Sequence, residues 1–215
     1  MLKAILCDFD GLVIDTEVEV FKAMAGYLRQ HFEYELEVLE FLLCVGSDDE
    51  ALLAKLAGKG ICLDRAHFLQ SIYEEVHKNA ELLPAKEGVE DFLREARTLG
   101  LRISLATSSK KEKPMKHLKR LGLLPLYDAV ITADDVEKIK PHPDLFLKAA
   151  RTLGVANHEC LVVEDSKNGL EAAKAAGMRA LVVPNAVTKY CEFEGEYLKK
   201  DSLKGLDLGA ILRAW

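Results

Sequence analysis

Two aspartates, Asp8 and Asp10, stand two residues apart in DFDGLVIDTE. A second pair of acids, Glu164 and Asp165, stands in VVEDSKNG. Between them come a hydroxyl cluster, Thr107, Ser108 and Ser109 in LATSSKK, and Lys140 in KIKPHPD. Two carboxylates about 4 Å apart repel by roughly 4 kcal/mol at an effective dielectric of about 20. Four gathered in one crevice would not stay ionised without a cation. Oxygen-only ligands suit a hard ion, and Mg²⁺ commonly keeps waters and takes a substrate phosphate oxygen as well. The hydroxyls and backbone amides after Ala106, with Lys140, could hold that phosphate's other oxygens. A carboxylate can accept a phosphoryl group as nucleophile. A second carboxyl beside it can protonate the leaving oxygen and then deprotonate water. The spacing of Asp8 and Asp10 suits that division of labour, and Gly11 allows a tight turn beyond them.

These residues need elements to bring them together. Five short, nearly continuous apolar runs read as strands: 2–7, 101–106, 129–132, 160–163 and 180–183. Continuous rather than alternating apolarity fits strands covered on both faces of a parallel sheet. Helical periodicity occupies 89–99, 111–121, 144–153 and 169–176, each followed by a glycine stop at Gly100, Gly122, Gly154 and Gly177. The alternation predicts a doubly wound α/β sheet. Every acid, hydroxyl and lysine named above then falls just after a strand, where open parallel sheets bind ligands.

One stretch breaks the rhythm. More than ninety residues separate the first two strands, and 18–30, 35–43, 48–56 and 64–79 read as helices. The expected organisation is an α/β core from 1–14 and 81–215, with an inserted all-helical domain over 15–80. The insert holds thirteen acids and six bases, a charge of −7 within a chain total of −6. A solvated helical surface explains that excess. A net negative chain argues against a nucleic-acid binder working through a general basic field. No apolar run is long enough to span a membrane. MLKAILCDFD carries acids where a signal peptide needs an unbroken apolar core. The five cysteines are scattered, odd in number and form no CxxC pair, so a reducing cytosol is the expected setting. Nothing demands more than a monomer.

The four motifs DFDGLVIDTE, LATSS, KIKPHPD and VVEDS, in that order, resemble those of the haloacid dehalogenase superfamily. The branch resembled has a small helical cap after the first strand and contains phosphatases and mutases similar to β-phosphoglucomutase. GLEAAKAAGMRALVVPN resembles that branch too. The likeness spans essentially the whole chain. It implies that Asp8 is the nucleophile and a Mg²⁺ ligand, and that Asp10 is the general acid/base with its carbonyl on Mg²⁺. It implies that Thr107 and the Ser108 amide grip phosphate, with Ser109 and Lys110 in the same binding loop. Lys140 steadies the phosphoryl charge. Asp165 ligates Mg²⁺, with Glu164 as a ligand or just behind one. Dehalogenases of the superfamily lack an acid at the position of Asp10, so its presence points to phosphoryl transfer. Absence of membrane spans and of a DKTGT motif sets aside the transport ATPases.

In that family the loop before the third insert helix faces the active site, which makes Gly46 and Ser47 candidate substrate contacts. Ser47 and Glu50 also fit a capping box, which explains the same residues without function. β-Phosphoglucomutases carry a histidine early in the first cap helix; this chain has Val20. Its cap loop carries acids, Asp48 and Asp49, where the mutase has arginine. A second phosphate would be repelled there. Lys110 and Lys111 compensate only in part. The favoured reading is a Mg²⁺-dependent hydrolase of a small phosphomonoester, with sugar or polyol phosphates the foremost class. The alternatives are a sugar-phosphate mutase and a non-catalytic phospholigand-binding protein.

Overall fold

The computed structural model describes residues 1–45 and 49–215. Gly46 and Ser47, and with them the capping-box expectation, lie outside the described residues.

The first strand, β1 (Ala4–Cys7), is followed by four helices: α1 (Thr16–Phe32), α2 (Val38–Phe41), α3 (Glu50–Gly58) and α4 (Arg65–Ala80). The chain then alternates through α5 (Val89–Thr98), β2 (Arg102–Ala106), α6 (Glu112–Arg120), β3 (Ala129–Ile131), α7 (Asp144–Leu153) and β4 (Cys160–Glu164). It closes with α8 (Lys167–Ala175), β5 (Arg179–Val182), β6 (Leu198–Lys199) and α9 (Leu208–Ala214). The six strands form one parallel sheet in the order β3-β2-β1-β4-β5-β6. β1 is therefore central, and β4 is its direct neighbour.

Strand alternation sorts the side chains into two apolar layers. Ile5, Cys7, Ile103, Leu105, Leu161 and Val163 pack on one face with Phe92 and Leu93 of α5 and Leu208 of α9. Ala4, Leu6, Val162 and Val182 pack on the other with Phe146 and Ala149 of α7 and Leu170 of α8. Cys7 lies in the first of these layers, so its thiol is a packing group. The glycines after α5, α6, α7 and α8 all take positive φ, from +67° to +74°.

The helical insert has its own apolar cluster, built from Ala23, Met24, Leu28, Phe41, Leu52, Leu56, Phe68 and Ile72. The sequence predicts its second helix over 35–43, but only Val38–Phe41 is helical. Two local bonds shorten it. Glu35 is drawn back into an ion pair with Arg29 at 2.6 Å. Glu40 reaches back to the Glu37 amide at 3.3 Å and fixes the helix start there. β6 and α9 lie beyond the last strand expected from the sequence. Among the described residues no helix is long and apolar enough to cross a membrane.

Glu40 also ties the insert together. Its buried carboxylate accepts from Tyr34 Oη at 2.7 Å and from Lys59 Nζ at 2.7 Å. Burial pushes its pKa up, but the bonds from Lys59, Tyr34 and the Glu37 amide outweigh it and bring the value down to about 2. The folded value lies below the unfolded one, so this stabilisation is present above about pH 4.5 and fades as pH falls toward 2. Glu40→Gln is expected to cost about 2 kcal/mol at pH 7. In urea unfolding followed from pH 6 downward, the gap between the two proteins should narrow below pH 4.5. A gap that stays constant to pH 3 would contradict the assignment.

Candidate active site

The register of the sheet sets the geometry. Cys7 pairs with Val163, so the next residues on β1 and β4, Asp8 and Glu164, emerge side by side. Asp8 is held in line by its amide, which donates to Val163 O at 3.0 Å. Asp165 follows immediately. Asp8, Glu164 and Asp165 are all buried, and one carboxylate oxygen from each lies within 4.8 Å of the others.

Lys140 enters from the loop between β3 and α7. Its ammonium donates to Asp8 Oδ1 and, at 2.6 Å, to Glu164 Oε1. It also sits 4.9 Å from the centre of the Phe146 ring. Burial works against its charge, but Asp8 and Glu164 outweigh burial and hold its pKa above the usual lysine range. The other Glu164 oxygen accepts from the amides of Asp165 and Ser166, both at 3.0 Å, and from Ser166 Oγ at 2.9 Å.

One cation does not balance three buried acids. Burial pushes the Asp8 pKa up, and although Lys140 pulls it down, Glu164 and Asp10 push it further up. Asp165 is raised by burial and then by Glu164, Asp8 and Glu17, with Lys86 opposing. Two of the three acids thus favour protonation unless a further positive charge arrives. The donor set is oxygen only, which fits a hard divalent cation such as Mg²⁺.

Two glycines make room for this crowding. Gly11 adopts φ +76°, and a Cβ there would lie 2.2 Å from Asp165 Oδ2. Gly169, in the first turn of α8, has the Glu164 carboxyl directly above it; a Cβ would lie 1.8 Å from Glu164 Cδ. Ser166 caps that turn by accepting from the Gly169 amide at 3.1 Å.

Asp10 lies beside the triad but in a different setting. Its carboxylate accepts from Thr16 Oγ1 at 2.6 Å, Ser109 Oγ at 2.5 Å and Lys113 Nζ at 2.5 Å. Burial raises its pKa, but Lys113, Ser109 and Thr16 outweigh burial and hold it below the usual carboxylate range. Thr107, at the end of β2, is buried, and its hydroxyl accepts from the Ser109 amide at 3.1 Å. Ser108 is half-buried in the same loop.

The structure therefore brings together Asp8, Asp10, Ser109, Lys140, Glu164 and Asp165, with Thr107 directly bonded to that group. Lys110 is exposed, and among the described residues no hydrogen bond or ion pair joins it to the carboxylates. Lys113, one helical turn further, takes the contact with Asp10. Sequence reasoning passed over Lys113 because a lysine on a basic amphipathic helix reads as solvated. Thr16 was within the first motif, six residues after Asp10. Lys86 was also missed: its amide donates to Val13 O at 2.8 Å and its ammonium to Gly11 O at 2.5 Å. No spacing rule relates it to the first motif.

The family described as haloacid dehalogenase-like hydrolase matches residues 5–183. The chain belongs to this family. The Bacillus subtilis (strain 168) protein named "Putative phosphatase YhcW" is 38% identical over 215 residues, spanning 99% of this chain and 97% of that one. The Thermotoga maritima protein named "Phosphorylated carbohydrates phosphatase" is 29% identical over 84% of each chain. The crystal structure of CbbY from Rhodobacter sphaeroides in complex with phosphate matches with a TM-score of 0.74 and 28% identity, over 96% of each chain. The resemblance carried by the four motifs is thus a family membership. Within this dehalogenase-like hydrolase, the motif residues converge at the carboxyl ends of β1, β2 and β4, as open parallel sheets require.

The Gly169 contact makes a prediction of unusual sign. Replacing glycine by alanine inside an exposed helix stabilises by about 0.5–1 kcal/mol. Here Gly169→Ala drives a methyl into the Glu164 carboxyl. It should destabilise by about 2 kcal/mol, read as a lower urea midpoint at pH 7. A midpoint unchanged or raised would contradict the packing described.

Proposed function

We propose that this chain is a Mg²⁺-dependent phosphatase that hydrolyses a small phosphomonoester through an aspartyl phosphate on Asp8. The observation that carries the reading is the buried Asp8–Glu164–Asp165 triad with one lysine, set beside an Asp10 held by three donors. Asp8, Glu164 and Asp165, with the Asp10 carbonyl, would hold the ion. Bound there, Mg²⁺ supplies positive charge to the phosphoryl oxygens and to the carboxylates around it.

The chain's own groups account for the steps. Asp8 attacks phosphorus, an acyl-phosphate bond forms, and the phosphorus–oxygen bond to the leaving alcohol breaks. Asp10 gives its proton to the departing oxygen. In the unliganded site Asp10 is held ionised, but an incoming phosphate dianion places like charge beside it and favours its protonated form. After the alcohol leaves, Asp10 takes a proton from water. The water oxygen attacks phosphorus, the bond to Asp8 breaks, and inorganic phosphate departs. Lys140 keeps its charge throughout and faces the developing phosphoryl charge. Thr107 and the Ser108 amide hold the remaining phosphate oxygens, with Ser109 beside them.

Residues 15–80 act in this reading as a cap that closes over the core of 1–14 and 81–215 and excludes water. The relative named for phosphorylated carbohydrates favours a sugar or polyol phosphate. Val20, in the place of the mutase histidine, packs against the insert's apolar cluster, which favours hydrolysis over mutase chemistry. All five cysteines are free thiols, which fits a cytosolic setting.

The test is phosphate release from hexose, pentose and polyol phosphates, phosphoglycolate and nucleotides, with Mg²⁺ and then with chelator. Release that chelator abolishes is the expected result. Asp8→Asn should lose turnover by more than about a thousandfold while its melting temperature stays near that of the parent. No release from any compound, or normal turnover in Asp8→Asn, overturns the proposal.

A further inference from the structure

Asn185 takes no part in the steps above, yet it is buried three residues beyond β5. Its side-chain oxygen accepts the amides of Val187 at 2.8 Å and Thr188 at 2.9 Å. Only the oxygen of the carboxamide can accept two N–H donors, so the nitrogen must face the other way. There it donates to Asp165 Oδ2 at 2.7 Å.

The loop that carries Asn185 is fixed on several sides. The Asn185 amide donates to Thr188 Oγ1 at 2.9 Å, and its carbonyl accepts from the Lys189 amide at 3.0 Å. Val187 is 2% exposed and belongs to the apolar cluster of the helical insert. Gly11 closes the arrangement from the β1 side: a Cβ there would meet Asp165 Oδ2 at 2.2 Å and Asn185 Nδ2 at 2.6 Å. The amide–carboxylate pair occupies space that only a glycine leaves free.

The chemistry of the donor matters. A lysine or arginine in this place would neutralise Asp165 and compete with a cation. A neutral amide anchors one oxygen and leaves the negative charge available. We infer that Asn185 is a positioning residue, which fixes the Asp165 carboxylate so that its other oxygen faces the divalent ion. The inference rests on the metal reading given under Proposed function.

Supports behind metal ligands commonly change affinity by about 10–100-fold when removed. The probe is Mn²⁺, a divalent ion that carboxylates accept, titrated into the full chain without substrate. Free Mn²⁺ is read by its electron paramagnetic resonance signal, and the metal-free melting temperature is recorded in parallel. Asn185→Ala removes the donor to Asp165 and adds no charge. It should weaken Mn²⁺ binding about tenfold or more. Thr188→Val removes a loop bond that touches no carboxylate, and should leave affinity within about threefold even if the melting temperature falls. Should Asn185→Ala fail to fold, Asn185→Ser removes the carboxamide donor, keeps an oxygen for the loop amides and adds no charge.

Unchanged affinity in the Asn185 variant overturns the inference, as does equal weakening by Thr188→Val, which would mark a general loosening of the loop. A parent protein that binds no Mn²⁺ overturns the metal reading itself, and the inference with it.

Discussion

The organising constraint of this molecule is electrostatic. Three carboxylates are buried at the ends of two adjacent strands, with one lysine between two of them. Removing charges from water is costly, and one lysine does not neutralise three acids. The surroundings meet that cost in several ways. Glu164 takes three donors on one oxygen and Lys140 on the other. Asp165 takes the Asn185 amide. In the proposed reading, the charge that remains would draw a cation, and with it a phosphoryl group, to the crevice.

Sheet topology makes this crowding unavoidable. With β1 central and β4 alongside in the register Cys7–Val163, Asp8 and Glu164 must leave the sheet next to each other. Asp165 follows at the point where the chain turns into α8. The backbone positions of these groups are set by the sheet, so the crowding comes with the register. The two glycines are the price in sequence freedom. Gly11 and Gly169 each stand where a methyl group would occupy the space of a carboxylate. The same crowding explains the contrast between the two aspartates of the first motif. Asp8 points into the acid cluster and is pushed toward protonation. Asp10, two residues on, meets Lys113 and two hydroxyls and is pushed the other way. For the proposed roles the two must exchange states, which a cation beside Asp8 and a phosphate dianion beside Asp10 would each favour.

Much of this was legible in the residues alone. Strands buried on both faces leave continuous apolar runs, and α5 through α8 announce their ends with glycine. The family motifs carry their own order. What was hidden follows a pattern. Lys113 and Lys110 are the same residue type on the same basic segment, but Lys110 precedes α6 while Lys113 lies in its first turn and reaches Asp10. Asn185 and Lys86 act through loops whose partners are distant in sequence, so no spacing could connect them to Asp165 or Gly11. β6 is two residues long, too short to leave a period. In α2 the expected helix was cut short by one ion pair and one side-chain bond to a backbone amide, local choices that propensity does not register.

The acidity of the insert divides into two parts on the same reasoning. Four of its thirteen carboxylates are paired locally: Glu19 with Lys22, Glu35 with Arg29, Glu40 with Lys59, and Asp49 with Arg65. These pairs each have at least one exposed member; the first lies within α1, and the others join helices to one another or to their loops. Glu17 differs. Burial, and next the neighbouring Asp10, push its pKa up to about 7, with Lys113 opposing. It is one of two first-turn acids of α1, so the insert enters the electrostatics of the site through the helix that begins at the end of the first motif. Any change in how α1 sits relative to β1 must alter the charge felt by Asp10. Insert and core are thus linked through charge as well as through packing at Val187. In the proposed reading, a substrate that draws them together would be felt at Asp10 through Glu17 and at Asp165 through the loop of Val187 and Asn185.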